Sequence, residues 1–233
     1  IPPKRLSMIS LMKKRRRMSS SNALRNIVCC RISQGWEEGN EPVTQWKTIV
    51  LGQLPTKPSL YLVKYDGNDS VYGQELYNDD RILNLKVLPP KVVFPQMRDA
   101  HLARALVGRA VQHKFEGKDG SEDNWRGVVL AQVPIMKDLF YITYKKVPGL
   151  YDYQLLDDYK EGNLHIIPET FLAEARSGDD NDFLIGTCVQ YTRDDGCKKF
   201  GKVVYKALAN PTVYFIKFLG DLHIYVYTLV SNI

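Results

Sequence analysis

Metal-binding and redox residues are scarce in this chain. There are four cysteines and four histidines in 233 residues, with no Cys-x-x-Cys pair and no grouping at metal-ligand spacing, so neither a metal nor a cofactor is expected. Cys29, Cys30, Cys188 and Cys197 read as reduced thiols of an intracellular protein, with Cys30 and Cys188 as small core residues of equivalent first strands. No apolar run approaches the roughly 18 residues of a spanning helix, so no membrane contact is expected. Acid is absent from the first 25 positions, which hold eight basic side chains: Lys4, Arg5, Lys13, Lys14, Arg15, Arg16, Arg17 and Arg25. The net charge of +6 therefore resides in that segment, and the remainder is faintly acidic. Polar Ser19, Ser20, Ser21 and Asn22 follow the basic run where a secretory signal would have its apolar stretch. The segment reads as a disordered tail carrying a nuclear-import signal, and residues 4–17 could also hold nucleic acid.

What the chain does have is aromatic residues, and they recur. Phe115, Trp125, Tyr144 and Tyr151 are spaced by 10, 19 and 7 residues, and the same spacings return 79 positions earlier as Trp36, Trp46, Tyr65 and Tyr72. A third, looser copy starts near residue 184, with Arg193, Phe200, Phe218 and Tyr225 at the corresponding positions. An internal period of this kind defines a structural unit used three times. Within each unit apolar residues alternate: Tyr61, Val63, Tyr65; Phe140, Ile142, Tyr144; Tyr214, Ile216, Phe218. Turn signals such as Asp66-Gly67 and Asp119-Gly120 separate the strands. The expectation is an all-β chain of three tandem small β-barrels at 26–90, 105–168 and 183–231 behind a tail at 1–25, with linkers at 89–104 and 169–183.

The chemistry suggested by the ring sets is recognition of a poorly hydrated cation. Aromatic faces carry negative quadrupole potential, and several rings around one point hold a methylated ammonium, each contributing about 0.5–2 kcal/mol. The competing reading is an ordinary aromatic core. Two things weigh against it: all eight positions in the first two units are aromatic, and Trp36 and Phe115 stand beside polar turns. His113 is placed near the second set, whereas His101, His165 and His223 read as surface or packing residues.

Longer strings carry a resemblance. Arg-Asn-Ile-Val-Cys-Cys-Arg-Ile at 25–32, Pro-Val-Thr-Gln-Trp-Lys at 42–47, Phe-Tyr-Ile-Thr-Tyr at 140–144, Tyr-Gln-Leu-Leu-Asp-Asp-Tyr-Lys-Glu-Gly at 153–162, Val-Tyr-Phe-Ile-Lys-Phe at 213–218 and His-Ile-Tyr-Val-Tyr at 223–227 resemble the spindlin (Spin/Ssty) family, on a divergent, Ssty-like branch. The resemblance implies three Tudor-like units, a nuclear monomer on chromatin, and reading of a histone H3 tail trimethylated at its fourth-position lysine. It implies a methyl-lysine cage of Phe115, Trp125, Tyr144 and Tyr151, with His113 and Asp158 as peptide contacts. It also implies a methyl-arginine pocket of Trp36, Trp46, Tyr65 and Tyr72 with Asp69 nearby. Asn68, Val147 and Asn163 depart from the family pattern, which has an aromatic at the first position and acids at the other two. Roles in gametogenesis and transcription regulation follow from the same resemblance.

An enzyme would need facing carboxylates, but Asp157 and Asp158, placed on a strand, would point to opposite faces. A nucleic-acid module stacking bases on the rings is the alternative, though it calls for a basic surface that these units lack. The third unit is expected to bind no methylated residue, because the Arg193 cation repels an incoming ammonium.

Overall fold

The computed structural model describes residues 26–89, 99–134, 136–168 and 183–229. The basic tail and residues 169–182 of the second expected linker lie outside the described residues. The first unit is a sheet in the order β4-β3-β2-β1-β5, built from β1 (Arg31–Trp36), β2 (Thr44–Leu54), β3 (Lys57–Tyr65), β4 (Val71–Gln74) and β5 (Ile82–Val87). The second opens with α1 (Ala100–Leu106). Its sheet runs β10-β6-β7-β8-β9, from β6 (Ala110–Glu116), β7 (Glu122–Gln132), β8 (Phe140–Tyr144), β9 (Tyr151–Tyr153) and β10 (Leu164–Ile166), with α2 (Leu155–Glu161) before β10. The third is four-stranded: β11 (Cys188–Thr192), β12 (Lys198–Lys206), β13 (Val213–Phe218) and β14 (Ile224–Thr228). The described pairings are antiparallel. The hairpin joining the first two strands of each unit turns on a glycine at positive φ (Gly39, Gly120, Gly196), where a side chain would be strained.

Three expectations are corrected. The sheets are open instead of closed barrels. The strand that would close each one, β4, β9 or β14, directs backbone groups to a neighbouring unit. Residues 100–104, read as linker, belong to α1, whose Ala103 and Leu106 are buried in the second unit. The Ala100-His-Leu-Ala-Arg-Ala-Leu106 run is rich in helix formers, and the upstream prolines concealed that. Cys188 lies exposed on β11 instead of in a core, and all four cysteines are free.

The central strands are buried on both faces, and the two faces serve different cores. Tyr61, Val63 and Tyr65 pack inside the first unit, Phe140, Ile142 and Tyr144 inside the second, and Tyr214, Ile216 and Phe218 inside the third. Their alternates, Leu60 and Leu62, Leu139 and Tyr141, Val213 and Phe215, meet in one common core drawn from all three units. Each long second strand slips register by one residue, at Leu51, Leu130 and Val204, and those bulge residues also enter the common core.

The units close in a ring. Ser70 bridges Tyr151, Gly149 bridges Tyr225, and His223 bridges Tyr72, so the last aromatic of every set is backbone-paired to the adjacent unit. Bonds from Val71 N to Leu150 O at 2.8 Å, Leu150 N to Ile224 O at 2.9 Å and Gly73 N to Leu222 O at 2.8 Å complete the pattern.

Candidate functional site

The second ring set comes together from three strands. On the first hairpin of the unit His113 pairs with Trp125 and Phe115 with Asp123, which places Phe115 and Trp125 on one face. Across the other edge of β7, Gly127 stands opposite Tyr144. A Cβ at Gly127 would lie 2.6 Å from the Thr143 carbonyl and 2.9 Å from the Tyr144 ring, so glycine lets that ring settle against the sheet. Tyr144 is the floor, 1% exposed. Its centroid lies 5.4 Å from Trp125, 5.7 Å from Phe115 and 5.7 Å from Tyr151. Phe115 meets Trp125 at 5.3 Å. Tyr151 makes its ring contact with Tyr144, leaving the corner between Tyr151 and the Phe115–Trp125 pair free of ring contacts among the described residues. All four expected rings are thus in one cluster.

A fifth ring was missed. Tyr153 lies 5.8 Å from Phe115 and 6.2 Å from Tyr144. Its signal was available: two residues after Tyr151 on the same strand, it shares that residue's face.

His113 is buried at 3% exposure, its ring 4.3 Å from that of Phe115 and 5.5 Å from that of Tyr153. Its Nδ1 is 2.6 Å from the Tyr144 hydroxyl and its Nε2 is 3.3 Å from Asp158 Oδ2. The structure therefore places His113 as the support of Tyr144, between the ring and the acid. Burial, then the neighbouring phenols and the Asp158 carboxylate, keeps Tyr144 protonated well above the ordinary tyrosine range. Asp157 and Asp158 sit in α2, not on a strand as expected. Adjacent helical residues diverge by about 100°, so they still do not face each other.

Asp69 lies in a groove of about 510 Å³ between the first and second units, which it lines with Lys64, Asp138, Asp152, Tyr153 and Asp158. With Lys137 also in the lining, its charged groups are four aspartates against two lysines, so the groove is net acidic. Lys64 crosses it to Asp152 at 2.6 Å, with Asp69 at 3.4 Å. Asp69 also acts electrostatically on Tyr144 and Tyr153, so it stands nearer the second ring set than its grouping with the first suggested.

In the first unit Trp46, Tyr65 and Tyr72 are assembled, with centroids at 5.3 Å and 5.1 Å. Trp36 is not in these ring contacts; the Arg81 guanidinium covers it at 4.4 Å, held by Asp79 at 2.7 Å and 2.9 Å. The fourth ring near this set is His223 of the third unit, 4.7 Å from Tyr72. Nothing local in the sequence signals that contact. Gln34 holds the place of His113 here, and its amide, like that of Gln74, donates to the Tyr65 hydroxyl, from 3.2 Å. Burial pushes the Tyr65 phenol up to about 12.

The third unit requires a change of alignment. Gly201 pairs with Val189 and Phe218, as Gly127 pairs with Val111 and Tyr144. Lys199, not Phe200, therefore occupies the tryptophan position, and Phe200 is turned outward at 53% exposure. The deletion in the preceding loop allowed a one-residue slip in the sequence alignment, and in a strand one residue reverses the face. Arg193 keeps its assigned position but is exposed.

Comparison with known proteins gives the lineage. A family model described as Spin/Ssty Family matches residues 28–77, 107–156 and 185–230. The chain is 81% identical over 226 residues to the mouse (Mus musculus) Y-linked testis-specific protein 1, covering 97% of each chain. It is 60% identical over 223 residues to Spindlin-2 of Bos taurus and 58% identical over 223 residues to Spindlin-2B of Homo sapiens, in both cases covering 94% of this chain and 86% of the relative.

Proposed function

We propose, from the premise that this chain belongs to the Spin/Ssty family, that it reads methylated histone tails on chromatin, taking trimethyl-lysine at the fourth position of H3 in the second unit. The observation that carries this reading is the cluster of Phe115, Trp125, Tyr144 and Tyr151 over a buried floor, with one corner free of ring contacts. A quaternary ammonium gains from each ring face and, having no N–H, needs no hydrogen-bond acceptor there. The acidic groove lined by Asp69, Asp138, Asp152 and Asp158 supports a basic peptide over a nucleic acid, whose phosphates it would repel. In the first unit, Trp46, Tyr65 and Tyr72 with His223 form a second pocket, to which we assign a methylated guanidinium of the same tail.

We place this activity in the nucleus, the compartment of a histone tail, with the Lys13–Arg17 run as the import signal. The name of the mouse relative supports a role in the male germ line.

The test is titration of the full chain with H3-tail peptides that differ only in methylation of the fourth-position lysine. Trp125→Ala removes one wall and should weaken the trimethylated peptide by about 3- to 30-fold, the equivalent of one ring. Preference over the unmodified peptide should fall with it while the far-UV spectrum is unchanged. A variant that discriminates methyl states as well as the parent would remove the second unit from this role.

A further inference from the structure

The third ring set retains two of its walls. Phe218 and Tyr225 are 5.2 Å apart at 75°, matching the floor and last-ring positions of the other units, and Phe218 is 3% exposed. Where the other units have Trp46 and Trp125, this one has Lys199. Its ammonium lies 5.9 Å from the Phe218 centroid and 5.6 Å from that of Tyr225, within the range at which a cation is drawn to an aromatic face. Asp221 completes the enclosure: its Oδ2 is 3.2 Å from Lys199 Nζ and accepts the Tyr225 hydroxyl at 2.8 Å.

The position of Asp221 is informative. It stands three residues after the floor ring, where the first unit has Asn68 and the second Val147. Asn68 also reaches its own last ring, but in the opposite sense and with no charge: its amide donates to the Tyr72 hydroxyl at 2.8 Å. An acid occurs at this place in the unit whose lysine lies over the floor and last rings; the second unit's Lys146, 5.2 Å from the Trp125 centroid, pairs instead with Asp123 at 2.6 Å. Although burial raises the Asp221 carboxyl, hydrogen bonds from His223, Tyr225 and Lys199 overrule it and hold the group well below the usual carboxylate range.

We infer that the third ring set is a cation site carrying its own ligand: the Lys199 ammonium, held by Phe218, Tyr225 and Asp221, fills the space that a methylated side chain would need. Occupancy by Lys199, and not repulsion by the exposed Arg193, is what closes this unit to methylated peptides. The inference does not depend on what the second unit reads.

Two measurements on the full chain test it. In the NMR spectrum of the isotopically labelled protein, the Lys199 CεH2 protons should be displaced upfield of the other lysines by the two rings and should return toward them in Phe218→Ala. A Lys199 signal at the solvent-exposed lysine position in the parent protein overturns the inference, whether or not Phe218→Ala folds. In a chain with Trp46→Ala and Trp125→Ala, tetramethylammonium chloride should show no saturable effect on the Phe218 and Tyr225 resonances. Adding Lys199→Ala should open the site and raise tetramethylammonium affinity by about tenfold or more, the worth of one or two ring contacts regained. Saturable binding with Lys199 in place, or no gain on removing it, would refute self-occupancy.

Discussion

At the scale of single residues, the second ring set depends on the buried polar side chain that supports its floor. With Nε2 facing the Asp158 carboxylate, the consistent tautomer of His113 has its proton on Nε2 and accepts the Tyr144 O–H at Nδ1, 2.6 Å away. In the first unit the same place is held by Gln34, whose amide donates to the Tyr65 hydroxyl, so a polar side chain that does not titrate stands against the floor phenol there. His113→Gln should therefore keep peptide affinity within about threefold of the parent. His113→Leu would leave a buried hydroxyl unpaired at about 1–3 kcal/mol and should weaken binding by roughly tenfold. Peptide titration alongside thermal unfolding separates the two variants. A leucine variant that binds like the parent would show that Tyr144 needs no support.

At the scale of elements, β9 lies against the first unit by way of the ion pair between Asp152 and Lys64 of β3. The Asp152 side chain is fully buried, and its Oδ2 has no partner. Burial pushes this carboxyl up to about 6 from an ordinary 3.8, outweighing the downward pull of the Lys64 ammonium. Its folded-state value thus exceeds the unfolded one. The contribution to stability is fully present below about 4 and is lost as the pH rises through about 6. Relative to Asp152→Asn, the parent should gain on the order of 1–3 kcal/mol between pH 7 and pH 4, read from urea midpoints across a pH series. Parallel profiles for the two proteins would refute this. Such elements also mark what the sequence could convey. The alternation in β3, β8 and β13 announced the strands and one buried face, and the repeated spacing announced four rings of the second set and three of the first. The second buried face was not legible, because Leu62, Tyr141 and Phe215 are equally apolar on a one-sided or a two-sided sheet. Nor was the approach of His223 to Tyr72, which depends on how one unit meets another and not on local pattern. The Phe200 assignment failed for a third reason, a loop deletion that leaves strand parity undetermined until the pairing partners are known.

At the scale of the whole molecule, no ring set belongs to a single unit. Tyr72 is backbone-paired to His223, Tyr151 to Ser70 and Tyr225 to Gly149, and the common core takes side chains from all three units. A unit cut out alone would lose the pairing that positions its last ring and would expose half of its apolar strands. The ring also closes from the third unit onto the first, so covalent continuity is not the only thing keeping neighbours together. A chain cleaved once between Pro89 and Asp99 should consequently remain a stable complex of two fragments. It should elute at the size of the intact protein, retain peptide binding within about threefold, and separate only in denaturant, since breaking it apart would expose two interfaces and the shared core at once. Fragments that drift apart in native buffer would show that the peptide link, and not the closed ring, holds the units in register. The same logic makes the protein a natural candidate for splitting into two halves that report on each other's presence by regaining a binding site neither has alone.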